Sequence, residues 1–130
     1  MHLVRYLHTA ITVSNLERSQ KFYGEMLGLT LVHRPLQFPG CWYEIQGIQI
    51  HLLEQPHAPI VPLADPNKWG RNAHLAFAVE NLAHAEQELL AAGYPVQKSS
   101  SGRAALFTQD PDGHIIELSQ WEPEANFPIP

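Results

Sequence analysis

Alternation of period two opens each half of the chain. Over residues 74–79, Leu75, Phe77 and Val79 fall on one face and His74, Ala76 and Ala78 on the other. Over 8–13, Thr9, Ile11 and Val13 oppose His8, Ala10 and Thr12 in the same way. Such alternation predicts strands with one face on a core, large side chains on that face and small ones beside a histidine on the other. A helical period follows each strand. Phe22, Tyr23, Met26 and Leu27 form an apolar stripe stopped by Gly28, and Leu82, Ala85, Leu89 and Ala92 form another stopped by Gly93. Ser14 and Glu17 stand at capping-box spacing ahead of the first helix. Shorter strands are predicted at about 30–34, 41–46 and 48–54, and again at about 95–98, 103–108 and 114–119, with "DPDG" at 110–113 as a hairpin turn.

The two halves are copies. A shift of 66 lays "HTAITVSNL" (8–16) on "HLAFAVENL" (74–82), with His, Ala, Val, Asn and Leu in register. The same shift lays "GIQIHLL" (47–53) on "GHIIELS" (113–119), matching Gly, Ile and Leu. Two blocks at one offset mean an internal duplication. The helix-ending glycines are 65 apart instead, so a compensating residue lies between these blocks, and the facing of Trp42 and Tyr43 stays open. The expected fold is α+β, two tandem βαβββ modules in a single domain over 1–130, with modules at 4–54 and 72–121. Residues 55–71, with four prolines, read as a linker long enough to act as a lid, and 122–130 as a tail without periodicity.

Composition removes several function classes. The chain has 130 residues, 45% hydrophobic and 16% charged, enough to bury a core without staples. A net charge of −5, with eight Lys and Arg spread along the length, argues against nucleic acid as a partner. No apolar run approaches the ~18 residues of a membrane span, and "MHLVRYLHTAI" is too short and polar for a signal peptide, so no membrane partner and a cytoplasmic location are expected. Cys41 is the only cysteine, which excludes an intrachain disulfide and a thiolate metal cluster.

Eight histidines are the unusual count, and one of them, His51, sits in the aliphatic strand "GIQIHLL". Under the shift of 66, His8 maps onto His74 and His51 onto Glu117. Parity puts Ile48, Ile50 and Leu52 toward the helix and Gln49, His51 and Leu53 away from it, and Ile116 and Leu118 likewise leave Glu117 on the face opposite the helix. Modules related by a pseudo-twofold axis would bring these four positions together. A lone carboxylate and three imidazoles on a sheet face are costly to bury, and a divalent cation resolves both problems. Neutral imidazoles with one carboxylate suit zinc, iron, nickel, cobalt or manganese better than calcium or magnesium. His33, His57, His84 and His114, on a strand, in the linker, on a helix and after a turn, read as ordinary residues.

The paired modules, with "LHTAITVSNLERSQKFYGEMLGL", "NAHLAFAVENLAHAEQELLAAG" and "LFTQDPDGHIIELSQ", resemble the vicinal oxygen chelate superfamily of glyoxalases, bleomycin resistance proteins and extradiol dioxygenases over about residues 4–121. "GIQIHLLEQP", "WGRNAH" and "SGRAALFTQDPDG" resemble a glyoxalase-like branch. The resemblance implies a curled, cup-shaped mixed sheet with helices outside, one divalent transition metal on His8, His51, His74 and Glu117, and bidentate capture of adjacent substrate oxygens. It implies homodimerisation and a small-molecule substrate.

The function implied is a metal-dependent lyase or isomerase in which the metal stabilises developing oxyanion charge and Glu117 moves a proton as a detachable ligand. Glyoxalase I commonly carries a carboxylate where this chain has His51. An iron(II) extradiol dioxygenase is the rival and requires His51 to stand back from a two-histidine, one-carboxylate site. A thiol transferase and a metal-free antibiotic-binding module are further alternatives. Arg71, beside His74, and Arg103, placed by parity on an inner strand with Ala105 and Phe107, are candidates for holding a substrate carboxylate or phosphate, and Phe107 is a further substrate-binding candidate.

Overall fold

The structure, a computed structural model, describes residues 1–123, so most of the expected tail, 124–130, lies outside the described residues. Two compact units divide between Ile60 and Val61, inside the proline-rich stretch. The first unit contains β1 (His8–Val13), α1 (Leu16–Gln20) with a π-helical continuation over Lys21–Met26, β2 (Thr30–Val32), β3 (Gly40–Ile45) and β4 (Ile48–Glu54). The second contains a 3₁₀ turn (Trp69–Arg71), β5 (His74–Val79), α2 (Leu82–Ala91), β6 (Val96–Lys98), β7 (Ala105–Gln109) and β8 (Ile115–Gln120). Each unit is thus a βαβββ module of an α+β fold.

Each sheet is mixed and four-stranded, in the orders β1-β4-β3-β2 and β5-β8-β7-β6. The last three strands of each form an antiparallel meander, and the last strand returns to lie parallel to the first. The predicted alternation holds: His8, Ala10 and Thr12 are exposed, as are His74, Ala76 and Ala78, while the opposite faces are half-buried, with Val13 fully buried. Val13, Phe22, Tyr23, Ile50 and Leu52 are buried in the first module, and Leu89, Leu106, Ile116 and Leu118 in the second.

The register locates the compensating residue. Cys41 pairs with Leu52 and Leu106 with Leu118, so the third strands are offset by 65 and the fourth by 66. The first helix carries one residue more between its cap and its glycine, absorbed as the π turn, where Leu27 N–H donates to Phe22 O at 2.9 Å. The second module recovers it in the "DPDG" hairpin. There Asp110 Oδ1 accepts from the N–H groups of Asp112 and His114, and Gly113 takes φ 91°.

Two expectations are corrected. Asn15, not Ser14, caps α1: its Oδ1 accepts from Arg18 N–H at 2.9 Å, and Asn81 does the same for His84 N–H at 3.0 Å. Asparagine is the better acceptor here because its extended backbone (φ −144°) aims the amide oxygen at the third N–H of the helix. A second fastening repeats in both modules. The last strand supplies Glu54 Oε2 to Leu16 N–H at 2.7 Å, and Gln120 Oε1 to Leu82 N–H at 3.0 Å. Arg103 is the other correction. It stands in the exposed turn before β7, because the strand begins only at Ala105.

The end of the linker is built as a knot. Asn72, buried, takes Asp65 N–H on Oδ1 and gives Nδ2 to the carbonyls of Asp65, Lys68 and Trp69. Among the described residues no helix is long and apolar enough to cross a membrane.

Candidate functional site

Each module assembles one pair of candidate donors on the sheet face away from its helix. In the first, β1 carries His8 and β4 carries His51, one strand pairing apart. Their rings stack with centroids 4.0 Å apart and 16° between planes. Trp42, opposite His51 across the β3–β4 ladder, stacks on its other side at 4.2 Å and 9°. Trp42 therefore faces the histidines, while Tyr43 is buried beneath the helix, its hydroxyl only 3.0 Å from where a Cβ on Gly24 would stand.

Gln49 was missed by the sequence reading as a functional partner, although parity placed it beside His51. Its Oε1 lies 2.8 Å from His51 Nε2. A carbonyl oxygen only accepts, so Nε2 carries the proton and Nδ1 is left as the electron-pair donor. Burial pushes the His51 imidazole below the ordinary histidine range, and the nearby His8 and Arg34 charges push the same way. A neutral imidazole is the metal-ready form.

In the second module, His74 of β5 and Glu117 of β8 bring Nε2 and Oε1 to 3.4 Å. His74 Nδ1 meets Asn72 O at 2.7 Å, so Nδ1–H donates and Nε2 is turned to the carboxylate. An imidazole nitrogen and a carboxylate oxygen set face to face can share a cation, a proton or a metal. The separation matches the edge of a tetrahedral site, ~3.4 Å for bonds of ~2.1 Å. Glu117 is 8% exposed and is further held by Ser119 Oγ on Oε2 at 3.0 Å and by Arg103 Nη2 on Oε1 at 3.5 Å. Ser119, two residues from Glu117 on the same face, was legible by parity but was not singled out. Among the described residues, no group of three or more metal-capable side chains is gathered; the donors come as pairs, and nitrogen with carboxylate is the donor chemistry a transition metal takes.

Of the candidate substrate residues, Phe107 is buried on β7, the register partner of Glu117, with its ring edge-on to His74 at 5.7 Å. It occupies the position that Trp42 holds in the first module. Arg103 borders Glu117 from the turn. Arg71 lies mostly in solvent, 3.8 Å from Asp65, yet lines the same open cleft as Arg103, Phe107 and Glu117. His33, His57 and His84 are exposed, His84 paired with Glu88 at 3.1 Å.

A family model described as the Glyoxalase/Bleomycin resistance protein/Dioxygenase superfamily matches residues 5–118. The chain is 31% identical over 128 residues to "Glyoxylase I 4" of Arabidopsis thaliana, covering 91% of this chain and 71% of that one. It is 30% identical over 128 residues to the lactoylglutathione lyase of Salmonella typhimurium, covering 88% and 91%. A solved structure of a glyoxalase family protein from Bacillus anthracis superposes with a TM-score of 0.70 at 25% identity, covering 91% of this chain and 95% of that one.

Proposed function

The chain belongs to the Glyoxalase/Bleomycin resistance protein/Dioxygenase superfamily, and from that premise we propose that it is a divalent-metal-dependent, glyoxalase-like lyase or isomerase acting on a small substrate through adjacent oxygens. The observation that carries the reading is His74 Nε2 set 3.4 Å from Glu117 Oε1, with the ring oriented from behind by the Nδ1 contact to Asn72 O. His8, His51, His74 and Glu117 would hold the ion, which would be zinc, nickel, cobalt, manganese or iron. When bound, such an ion supplies Lewis-acid stabilisation of negative charge developing on substrate oxygen.

The chain's own residues do the remaining work. Glu117 is the proton carrier: a carboxylate oxygen takes a proton from the carbon beside the carbonyl and returns it to the neighbouring carbon, an isomerisation with no net change in atoms. Ser119 and Arg103 hold that carboxylate in one orientation. Phe107 walls His74 from one side, and Arg71 and Arg103 offer charge to a substrate anion. The relatives named lactoylglutathione lyase make the glutathione adduct of methylglyoxal the first substrate to try. His51 in place of the carboxylate common in glyoxalase I favours a different member of the class.

A second reading has its own support. His51 is sandwiched between Trp42 and His8 and tied to Gln49. Left there on metal binding, it would leave two histidines and one carboxylate, the set used by iron(II) ring-cleaving dioxygenases. We further read the protein as a cytoplasmic homodimer, supported by one free buried thiol and by exposed Leu3, Val4, Tyr6 and Leu7.

Elemental analysis of the untagged protein beside a His74→Ala, Glu117→Ala double variant tests the proposal. One ion per site in the parent and none in the variant is expected, with lactoylglutathione formation assayed on the loaded protein. Iron with catechol cleavage would select the dioxygenase. No uptake of any candidate ion would overturn the catalytic reading in favour of a metal-free binding module.

A further inference from the structure

All four basic residues of the second module, Lys68, Arg71, Lys98 and Arg103, line one open cleft, half of the eight in a chain of net charge −5. The cleft, about 170 Å³, is lined by residues of that module alone, Phe107 and Glu117 among them. Its volume is below the ~300–1,000 Å³ of sites for drug-sized ligands, which fits one compact group of a small molecule.

The four cations are not equally committed. Arg71 is met by Asp65 at 3.8 Å and Lys98 by Glu86 at 3.4 Å. Lys68 Nζ meets Ser100 Oγ at 3.4 Å, with no carboxylate partner among the described residues. Arg103 reaches Ser101 Oγ from Nε at 3.2 Å and Glu117 Oε1 from Nη2 at 3.5 Å. Charge-assisted bonds settle near ~2.7–2.9 Å, so these two cations rest on loose contacts. The serine run joins them, Ser99 Oγ lying 2.8 Å from Ser101 Oγ. A hydroxyl that accepts from Lys or Arg keeps its own proton to donate. Lys68, Ser100, Ser101 and Arg103 therefore form a row of donors whose present contacts are long.

We propose that this cleft is an oxyanion subsite, in which Lys68, Arg103 and the hydroxyls of Ser99–Ser101 seat the carboxylate or phosphate of the substrate. Resting on the reading of Glu117 as the reacting end, it makes the substrate class an anionic molecule, its charged group beside the carbon from which Glu117 moves a proton. Lys68 and the three serines become specificity-determining residues. The Arg103 guanidinium, touching both Glu117 and the serine row, sets the distance between the anion and the proton carrier.

The subsite is tested on the full chain stripped of metal, so that its outcome is independent of metal binding. Backbone amide NMR is followed during titration with inorganic phosphate, and separately with acetate, at constant ionic strength against chloride. Saturable shifts confined to Lys68, the 97–101 segment and Arg103 are expected, weakened on the order of tenfold by Lys68→Ala or Arg103→Gln, the worth of one charged hydrogen bond. Saturation by phosphate alone assigns a phosphate-bearing substrate, and saturation by acetate a carboxylate. Shifts that never saturate, that scatter over Arg5, Arg18 and Lys21, or that ignore both substitutions would overturn the subsite. Since Lys68 and Arg103 are exposed, both variants are expected to fold, checked from the unchanged remainder of the spectrum. Phosphate binding in a protein that takes up no metal would leave the subsite standing and remove only the catalytic reading.

Discussion

In the first module two imidazoles lie face to face, one of them pressed on Trp42; in the second, at matched places, an imidazole faces a carboxylate flanked by a serine and an arginine. The strand order beneath is the same, and so is the long-range fastening of each helix. What differs is charge. The first pair holds no carboxylate, and burial favours the neutral form of His51, while the second offers one negative charge. The basic cleft lies within the module that carries the carboxylate. The cores differ too. At positions matched by the offset of 65, the first module sets Tyr43 against Gly24 and the second has Thr108 and Leu89, large and small exchanged between strand and helix. Duplication preserved the volume and moved it across the interface.

The sharpest way to break the comparison is to make the pairs alike. His51→Glu puts a carboxylate into a site only 8% exposed, between two rings. Metal-free protein should lose about 3 kcal/mol, and added zinc or nickel should restore the melting temperature toward that of the loaded parent. Failure of metal to rescue would show that His51 stands outside the donor set.

Glycines give the next effect. A Cβ on Gly40 would sit 2.3 Å from the backbone oxygen of Leu52, so Gly40→Ala should cost about 1–3 kcal/mol by forcing β3 from β4. On Gly70 the Cβ meets Phe107 Cζ at 2.6 Å, and a ring tip can turn. Gly70→Ala should therefore cost less in urea titration while perturbing the Phe107–His74 contact.

Thr108 is fully buried and its Oγ1 has no hydrogen-bond partner among the described residues. Thr108→Val should stabilise the second module by about 1 kcal/mol, and a lower melting temperature would mean that the hydroxyl has a partner.

The smallest effect is alkaline and belongs to the first module. Burial pushes the Cys41 thiol up, against weaker lowering by Tyr43, Gln20 and Arg34. The unfolded chain then releases this proton first, from about pH 8.5. Stability is unaffected below that value and falls as pH rises above it. Cys41→Ala should flatten the decline between about pH 8.5 and 10, before tyrosine ionisation contributes.

Much of this was legible beforehand because the period-two faces and the offset of 66 are direct images of sheet geometry. The strand parity of His51 and Glu117 followed from their aliphatic neighbours. The π turn was not legible, since one extra helical residue changes no stripe; it showed only as glycines 65 apart. The facing of Trp42 depended on that same residue and could not be fixed without the register. Arg103 was misplaced on a strand because alternation was extended through a turn. The row of Lys68 and Ser99–Ser101 comes from two loops far apart in sequence, and no local pattern links them.

The twin fastening of the helices bears on how the chain is made. In each module the N-terminus of the helix is held by a strand-end side chain 38 residues later. On a ribosome, Leu16 has emerged long before Glu54 exists, so the nascent α1 leans on Asn15 alone until the last strand arrives. Pairing of β4 with β1 is also what brings Glu54 to the helix, so the closing of the sheet and the second fastening of α1 depend on the same late-made strand.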